Sequence, residues 1–400
     1  MKNKRLILIA LLLSLSIPSL MAPASVQATN PTQNRSPAYW PTGGWLTATP
    51  ESQGVSSAVL QEIRDYYTAY NWPIDSMLVI RNGYIVYEDY PSPIYGQNTA
   101  HVMYSCTKSV SSALTGIAIS LGLYDLDDLV LDFFPGYTFD NLDAWKEAIT
   151  VENLLMMRSG IPWDESTYPY GDINNDVTAM VASPDAVQFV LDKPMESQPG
   201  TAWNYNTGAS HLLSAIITGE SGMSTVAFAD QHLFGPLGIT TRLWGVDQQG
   251  ICWGGHDLHL RPRDMAKFGF LYLNNGNWDG QQIVPADWVA TSTDELTQLS
   301  TRQAYGYQWW IDMGVDSYSA RGYQGQYIFV YPDSNLIVVI TASDVNGVIG
   351  YYDIADLIDE LIDSLFYVPP GISPLVIGVI VITIGVCVTI TIFYFVRRRK

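Results

Sequence analysis

The chain has 400 residues, 48% of them hydrophobic, and a formal net charge of −19 at pH 7. This composition is typical of a globular protein with a sizeable core, and it excludes a largely disordered or fibrous chain. The acidic balance also excludes nucleic acid as a partner, because binding to phosphates requires the opposite sign of charge.

The first 28 residues are typical of a signal peptide. A basic start (MKNKR) precedes the apolar run LILIALLLSLSIPSL, and the small residues of ASVQA predict cleavage near Ala28. An uncleaved membrane anchor is the alternative, but Ser14, Ser16 and Pro18 leave the run short of about 20 uninterrupted apolar residues. Residues 29–54, rich in Pro, Thr, Gly and Asn, are predicted to form a linker or a wrapping arm.

The folded domain is predicted to cover residues 55–366. It opens with a helix capped by Ser56 in SSAVLQEIRDYYTAY, where apolar residues recur at helical spacing. Two β-rich runs in SMLVIRNGYIVYEDY flank Asn82 and Gly83, which is the strongest short signal for a hairpin. A helix is then predicted to begin near Ser105.

The second half of the domain is predicted to return from helices to strands. Residues from about 124 to 260 are predicted to be a mainly helical insertion, with ITVENLLMMRSGIPW as its clearest helix. A helix in PRDMAKFGFLYLNNG follows, then strands in YGYQWWIDM, YSARGYQ, GQYIFVYP and NLIVVITAS, then an amphipathic helix over residues 351–366. This order predicts an α+β fold, in which helices from both ends of the chain flank an antiparallel sheet that carries the helical insertion.

The C-terminus is predicted to be a membrane anchor. After a linker over residues 367–374, residues 375–396 form 22 consecutive positions without a charge, and RRRK at 397–400 predicts a cytoplasmic tail. A buried core helix is the alternative, but such a helix is not normally apolar on every face. All 39 acidic residues but only 13 of the 20 basic residues lie between the two terminal segments, which gives this part a net charge of −26.

The chemistry indicated by the sequence lies in SCTK, where Ser105 and Lys108 are three residues apart and share a helix face. A serine hydroxyl becomes a good nucleophile when a base takes its proton, and a lysine can be that base if its pKa is lowered. Alone, the pattern also fits a helix cap followed by a surface lysine. However, it is the only Ser-x-x-Lys in the chain, and residues 29–396 contain just four lysines.

Three further segments extend this pattern. They are PGTAWNYNTGASHLL, LRPRDMAKFGFLYLNNGNWDGQQIVPADW and ARGYQGQYIFVYPDSNLIVV. Together with SCTK, they resemble the serine β-lactamase, penicillin-binding protein and related esterase superfamily, particularly its class C-like branch. The resemblance covers roughly residues 49–366 and implies a β-lactamase/transpeptidase-like fold.

The resemblance also implies roles for individual residues. Ser105 would be the acylated nucleophile, Lys108 the base or hydrogen-bond partner that activates it, and Tyr205 the relay that carries a proton to the leaving group. The backbone N–H groups of Ser105 and Gln326 would form the oxyanion hole. No cofactor is implied.

The chain departs from this pattern at two substrate-binding positions. Thr207 replaces an asparagine that grips a substrate carbonyl, and the triplet Tyr323, Gln324 and Gly325 begins with tyrosine where β-lactamases have lysine. Both departures put β-lactam hydrolysis in doubt. The sequence therefore predicts an exported, membrane-anchored serine hydrolase of esters, amides or peptides. The alternatives are a β-lactamase or D-amino-acid peptidase, or a non-catalytic module that binds cell-wall peptides.

The remaining histidine and cysteine patterns are less specific. His256 and His259 have metal-ligand spacing but no third ligand nearby in the sequence, so they are predicted to be polar loop residues and no metal site is expected. Cys106 and Cys252 could pair outside the cell, but a buried free thiol at Cys106 is an equal alternative.

Overall fold

The computed structural model describes residues 37–365. Within this range no single helix is long and apolar enough to cross a bilayer; one bent pair, Thr207–Ser221 with Thr225–Phe234, passes by length and composition alone. The predicted signal peptide, the linker at 367–374, the membrane helix at 375–396 and the basic tail all lie outside the described residues.

Thirteen strands are present in the described range. They are β1 (Ile74–Arg81), β2 (Tyr84–Asp89), β3 (His101–Val102), β4 (Arg242–Trp244), β5 (Leu258–Leu260), β6 (Asn277–Trp278), β7 (Gln281–Gln282), β8 (Thr297–Gln298), β9 (Gln303–Tyr305), β10 (Trp310–Asp312), β11 (Ser317–Gly322), β12 (Gln326–Tyr331) and β13 (Leu336–Ala342). Eight of them form one antiparallel sheet in the order β2-β1-β13-β12-β11-β10-β9-β8. The sheet thus combines strands from both ends of the domain, as predicted.

Ten α-helices accompany the strands in the same range. They are α1 (Ser57–Ala69), α2 (Cys106–Ser120), α3 (Val151–Leu155), α4 (Asp176–Ala182), α5 (Ala186–Leu191), α6 (Thr207–Ser221), α7 (Thr225–Ala229), α8 (Pro262–Leu273), α9 (Ala286–Ser292) and α10 (Tyr351–Leu365). The fold is α+β, and the predicted flanking helices are present as α1 and α10.

Helices cover both faces of the large sheet. On one face, Val79 and Val338 pack with Leu60 of α1 and Ile358 of α10. On the other face, alternate strand residues such as Leu78 join a larger core to which α2, α6 and α8 contribute. Because successive side chains of a strand point to opposite faces, the central strands are buried on both sides and consist almost entirely of apolar residues.

Two local predictions at the start of the domain are confirmed. The side chain of Ser56 accepts a hydrogen bond from the backbone N–H of Val59 and so caps α1. Asn82 and Gly83 connect β1 to β2 with φ values of 52° and 85°. A two-residue turn with positive φ at both positions matches the twist of a hairpin, which is why Asn-Gly is favoured there.

The inserted region differs from its prediction in two respects. Its clearest predicted helix is only the five-residue α3, because Met157 adopts a left-handed φ of 57° soon after the helix ends. The region also supplies β4 and β5, and β5 is the central strand of a three-stranded sheet in which it pairs with β3 and β4. Strands of three residues are too short to show the alternation by which a strand is identified in a sequence. The long helix of this region is α6, which is buried along most of its length.

The described part of the segment predicted as an arm lies against the edge of the large sheet. The backbone N–H of Ile85 in β2 donates to the carbonyl oxygen of Leu46 at 3.0 Å, and the N–H of Ala48 donates to that of Ile85 at 3.0 Å. Trp45 is buried in the core beside this contact. The segment thereby pairs with an otherwise free strand edge.

Candidate active site

Ser105 and Lys108 meet at the N-terminus of α2. Ser105 occupies the cap position, yet its side chain makes no capping hydrogen bond, so its hydroxyl is not used by the helix. Lys108 is only 1% exposed, which rules out the alternative of a surface lysine. Its Nζ lies 2.9 Å from Ser105 Oγ, 2.8 Å from Thr207 Oγ1 and 3.0 Å from the carbonyl oxygen of Gly255.

These three partners determine what Lys108 can do as a neutral amine. A carbonyl oxygen can only accept, so Gly255 takes one N–H of Lys108, and the hydroxyl oxygen of Thr207 takes a second. A neutral amine has two N–H groups and one lone pair, so its lone pair then faces Ser105 Oγ. In this state Lys108 can accept the proton of the serine hydroxyl.

The electrostatics of the site favour this neutral state. Burial lowers the pKa of Lys108 to about 8, while the Glu165 carboxylate and the Cys106 thiol act in the opposite direction. Desolvation disfavours the ammonium form, whereas a nearby negative charge favours it. An appreciable fraction of Lys108 is therefore a free base near neutral pH, which is not true of an exposed lysine.

Tyr205 completes the predicted trio. Its ring centroid lies 4.7 Å from Lys108 Nζ, and its hydroxyl interacts with the Ser105 side chain. Burial raises the pKa of Tyr205 well above its usual value, and Tyr305 and Glu165 raise it further. Tyr205 therefore keeps its proton at ordinary pH and can act as a donor, while Lys108 is the group that can act as a base.

Thr207, at the position that the resemblance implied meets a substrate carbonyl, lies beside Lys108. It is 2% exposed, and its hydroxyl accepts a hydrogen bond from Lys108 Nζ. The position follows from α6, whose cap Asn206 accepts a hydrogen bond from the N–H of Ala209 at 2.9 Å. Thr207 is the first residue of that helix, so capping fixes it beside the lysine.

Two residues of this site were missed by sequence reasoning. Glu165 accepts a hydrogen bond from the backbone N–H of Thr207 at 3.0 Å, and Gly255 supplies the carbonyl oxygen for Lys108. Neither belongs to a motif that could be recognised. A backbone carbonyl leaves no sequence signal, and Glu165 is 42 residues from its partner along the chain.

The predicted oxyanion hole depends on the approach of the β11–β12 turn to α2. An added Cβ at Gly322 would lie 2.3 Å from the carbonyl oxygen of Met103, so only glycine permits this approach. The Cys106 Sγ lies 3.4 Å from the carbonyl oxygen of Gln326, which places that backbone beside the start of α2. The buried Gln326 side chain donates to the carbonyl oxygen of Ala342 at 2.6 Å and anchors the turn.

The triplet Tyr323, Gln324 and Gly325 forms the turn between β11 and β12. Tyr323 is 44% exposed, and its ring centroid is 5.5 Å from that of Tyr104 and 4.8 Å from that of Tyr170. Gln324 accepts a hydrogen bond from the Tyr104 hydroxyl at 3.4 Å. These three tyrosines, called the aromatic rim below, contact one another through their rings.

The histidines predicted to be loop residues have separate environments. The His256 ring stacks on Trp253 at 5.0 Å, and burial lowers its pKa to about 3. His259 lies on β5 rather than in a loop, so that prediction was wrong, and it pairs with Asp257 at 3.0 Å. Among the described residues, no group of three or more His, Cys, Asp or Glu side chains is arranged to hold a metal ion.

The cysteine alternatives are resolved by the structure. Cys106 and Cys252 are both free and buried, so the alternative of a disulfide between them is wrong. Burial raises the pKa of the Cys106 thiol, which keeps this neighbour of Ser105 protonated and a poor nucleophile.

Comparison with known proteins finds matches over most of the described domain. A model of the beta-lactamase family matches residues 59–357. The chain is 23% identical over 293 residues to the 6-aminohexanoate-dimer hydrolase of Paenarthrobacter ureafaciens, covering 67% of this chain and 72% of that protein. It is 22% identical over 371 residues to a Salmonella paratyphi B protein described as a D-alanyl-D-alanine carboxypeptidase, covering 74% and 84% respectively.

A solved structure has the same fold. A Bacillus anthracis protein described as a 6-aminohexanoate-dimer hydrolase superposes with a TM-score of 0.65 at 21% identity, covering 76% of this chain and 81% of that one. The family match spans most of the described domain and includes Ser105, Lys108 and Tyr205. The chain therefore belongs to the beta-lactamase family and is a serine hydrolase with the β-lactamase/transpeptidase-like fold.

Proposed function

We propose that this protein hydrolyses uncharged or cationic amides and esters through a covalent acyl-Ser105 intermediate. The observation that carries the proposal is the buried Lys108, whose two acceptors leave its lone pair for the Ser105 hydroxyl. A lysine used only for structure would need no free serine hydroxyl as its third partner. The paired serine and lysine also argue against a non-catalytic binding module.

Acylation follows from the roles of the three side chains. Lys108 takes the proton of Ser105, Oγ attacks the substrate carbonyl carbon, and the carbonyl oxygen becomes an oxyanion held by the backbone N–H groups of residues 105 and 326. The bond to the leaving group then breaks, and Tyr205 donates its proton to the departing nitrogen or oxygen. Lys108, now an ammonium beside Tyr205, returns the proton to the phenol.

Deacylation repeats these steps with water. A water molecule in the place of the leaving group gives a proton to the Tyr205–Lys108 pair and attacks the acyl carbon. The tetrahedral intermediate then releases the carboxylic acid, and Ser105 Oγ recovers its proton from Lys108. Besides the substrate and one water molecule, the two halves of the reaction balance with the side chains of Ser105, Lys108 and Tyr205 alone.

The preference for uncharged or cationic substrates is supported by the aromatic rim. Position 323 presents a phenol, and Arg321, a cation two residues earlier on β11, is bound to Asp312 at 2.9 Å. A substrate carboxylate would therefore meet uncharged rings and an acidic protein. The similarity to 6-aminohexanoate-dimer hydrolases favours a linear amide as the bond that is cleaved, but it does not bear on the charge preference, because such a dimer itself ends in a carboxylate.

The proposal predicts that a fluorophosphonate probe labels Ser105 and that the labelling rate depends on pH. The reactive form has a neutral Lys108, whose pKa is about 8. The rate should therefore rise about tenfold per pH unit below pH 8 and level off above it. Intact-mass and peptide mass spectrometry locate the adduct. A rate independent of pH between 6 and 9, or an adduct on another residue, would contradict the proposal.

We propose in addition that the domain is exported and held at the membrane by residues 375–396. The sequence features behind this are the basic and apolar N-terminus and the uncharged C-terminal run ended by RRRK. Protein expressed without the residues after Phe366 should move from the membrane fraction to the soluble fraction, while the full chain stays with membranes. Equal partitioning of the two forms on fractionation would refute the anchor.

A further inference from the structure

Glu165 connects three parts of the site through one carboxylate. Its Oε2 accepts a hydrogen bond from the backbone N–H of Thr207 at 3.0 Å and another from Trp163 Nε1 at 2.6 Å. Its Oε1 lies 3.4 Å from the Tyr170 hydroxyl of the aromatic rim. Glu165 is only partly buried, but the Trp163 side chain that donates to it is buried.

The link from Glu165 to the lysine passes through a single residue. Thr207 begins α6, and the first N–H groups of a helix have no partner within the helix. A carboxylate at this end satisfies one of them and interacts favourably with the helix dipole. The hydroxyl of the same Thr207 accepts an N–H of Lys108 at 2.8 Å. A chain of two hydrogen bonds therefore runs from Glu165 to Lys108.

The other ionisable groups around Lys108 are neutral. Its own helix contributes Cys106, whose thiol pKa is raised by burial. The segment before α6 contributes Tyr205, whose phenol pKa is raised. The loop that carries Gly255 contributes His256, whose pKa is lowered to about 3. Of these groups, Glu165 is therefore the one whose negative charge acts on Lys108.

We propose that Glu165 is a positioning residue that holds the first turn of α6, and through Thr207 the amine of Lys108, in the orientation that activates Ser105. This role rests on the proposed function, because it presumes that Lys108 is the base. It also makes the charge of Glu165 a determinant of the pH at which the base becomes available. A carboxylate too far from Lys108 to act on its charge would have no effect on that pH.

The test compares the pH dependence of Ser105 labelling in two variants of the full chain. In Glu165→Gln, an amide oxygen still accepts from Thr207 and Trp163, but the charge is lost. The rising part of the pH–rate profile, called the limb below, should move to lower pH by at least about half a unit, because a charge that favours the ammonium form of Lys108 is gone. The plateau rate at high pH should stay within about threefold of the wild-type rate. In Glu165→Ala, the same shift should come with a plateau reduced by about tenfold or more.

Two controls make the result specific. Asp164→Asn removes a carboxylate from the neighbouring residue, which accepts hydrogen bonds from the backbone N–H groups of Ser166 and Thr167. It should leave the rising part of the pH–rate profile in place. Thr207→Ser, which keeps the hydroxyl, should retain the plateau that Thr207→Val loses. Thermal unfolding of each variant separates loss of rate from loss of fold.

Each outcome bears on one of the two proposals. If Ser105 is labelled with a limb near pH 8 that Glu165→Gln does not move, or moves to higher pH, the role of Glu165 is wrong and the serine hydrolase mechanism stands. If Ser105 is not labelled in any of these proteins, the proposed function itself fails. An unshifted limb in Asp164→Asn with a shifted limb in Glu165→Gln supports the inference.

Discussion

Replacement of Ser105 by alanine is expected to lower kcat/KM for a p-nitrophenyl ester or a linear amide by at least about 10⁴-fold. Lys108→Met should cost nearly as much, because the base is lost while the apolar side chain fills the same buried space. Residues that act as one catalytic unit are strongly non-additive, so the double variant should be little worse than either single one. Steady-state kinetics on the purified proteins measure all three.

The matched control for the lysine is Lys146, which is also fully buried but donates to the carbonyl oxygen of Asp140, away from Ser105. Lys146→Met should keep most of the activity. Because Lys108 is a buried amine, Lys108→Met is not expected to lower the free energy of unfolding, which urea denaturation can measure. Retention of full activity in Ser105→Ala, or loss in Lys146→Met equal to that in Lys108→Met, would refute the assigned roles.

Tyr323→Lys is expected to raise kcat/KM selectively for substrates that carry a carboxylate, such as nitrocefin or a peptide ending in D-alanine. A hydrogen bond to a charged group contributes about 1.5 to 3 kcal/mol, so the gain should be about 10- to 100-fold. A neutral ester should change little. In the wild-type protein, neutral and cationic substrates should be hydrolysed much faster than nitrocefin, and part of this difference should shrink at high salt because the acidic domain repels anions.

Two variants distinguish local recognition from a change in net charge. Tyr323→Phe keeps the ring in the aromatic rim without a cation and should not gain activity on the carboxylate. Tyr70→Lys adds the same charge at an exposed position at the end of α1, remote in the sequence from the rim, and should not do so either. A wild-type preference for nitrocefin over short-chain esters would favour the β-lactamase or peptidase alternative.

The sequence alone determined the local features of the fold and the central pair of the site. Three-residue spacing on a helix brings Ser105 and Lys108 together whatever the rest of the chain does. The Asn82–Gly83 turn and the Ser56 cap were likewise predictable, because the interactions that form them lie within a few residues. The long apolar runs of β12 and β13 were identified for the same reason.

Only the tertiary structure decided whether that pair can react. The acceptors that orient Lys108 come from Thr207 and Gly255, which are 99 and 147 residues away along the chain. The carboxylate that acts on it comes from a loop without a motif. The three-residue strands β4 and β5 and the exposed position of Tyr323 were equally undetermined. Burial and long-range contacts set the pKa of a side chain, and a one-dimensional pattern does not contain them.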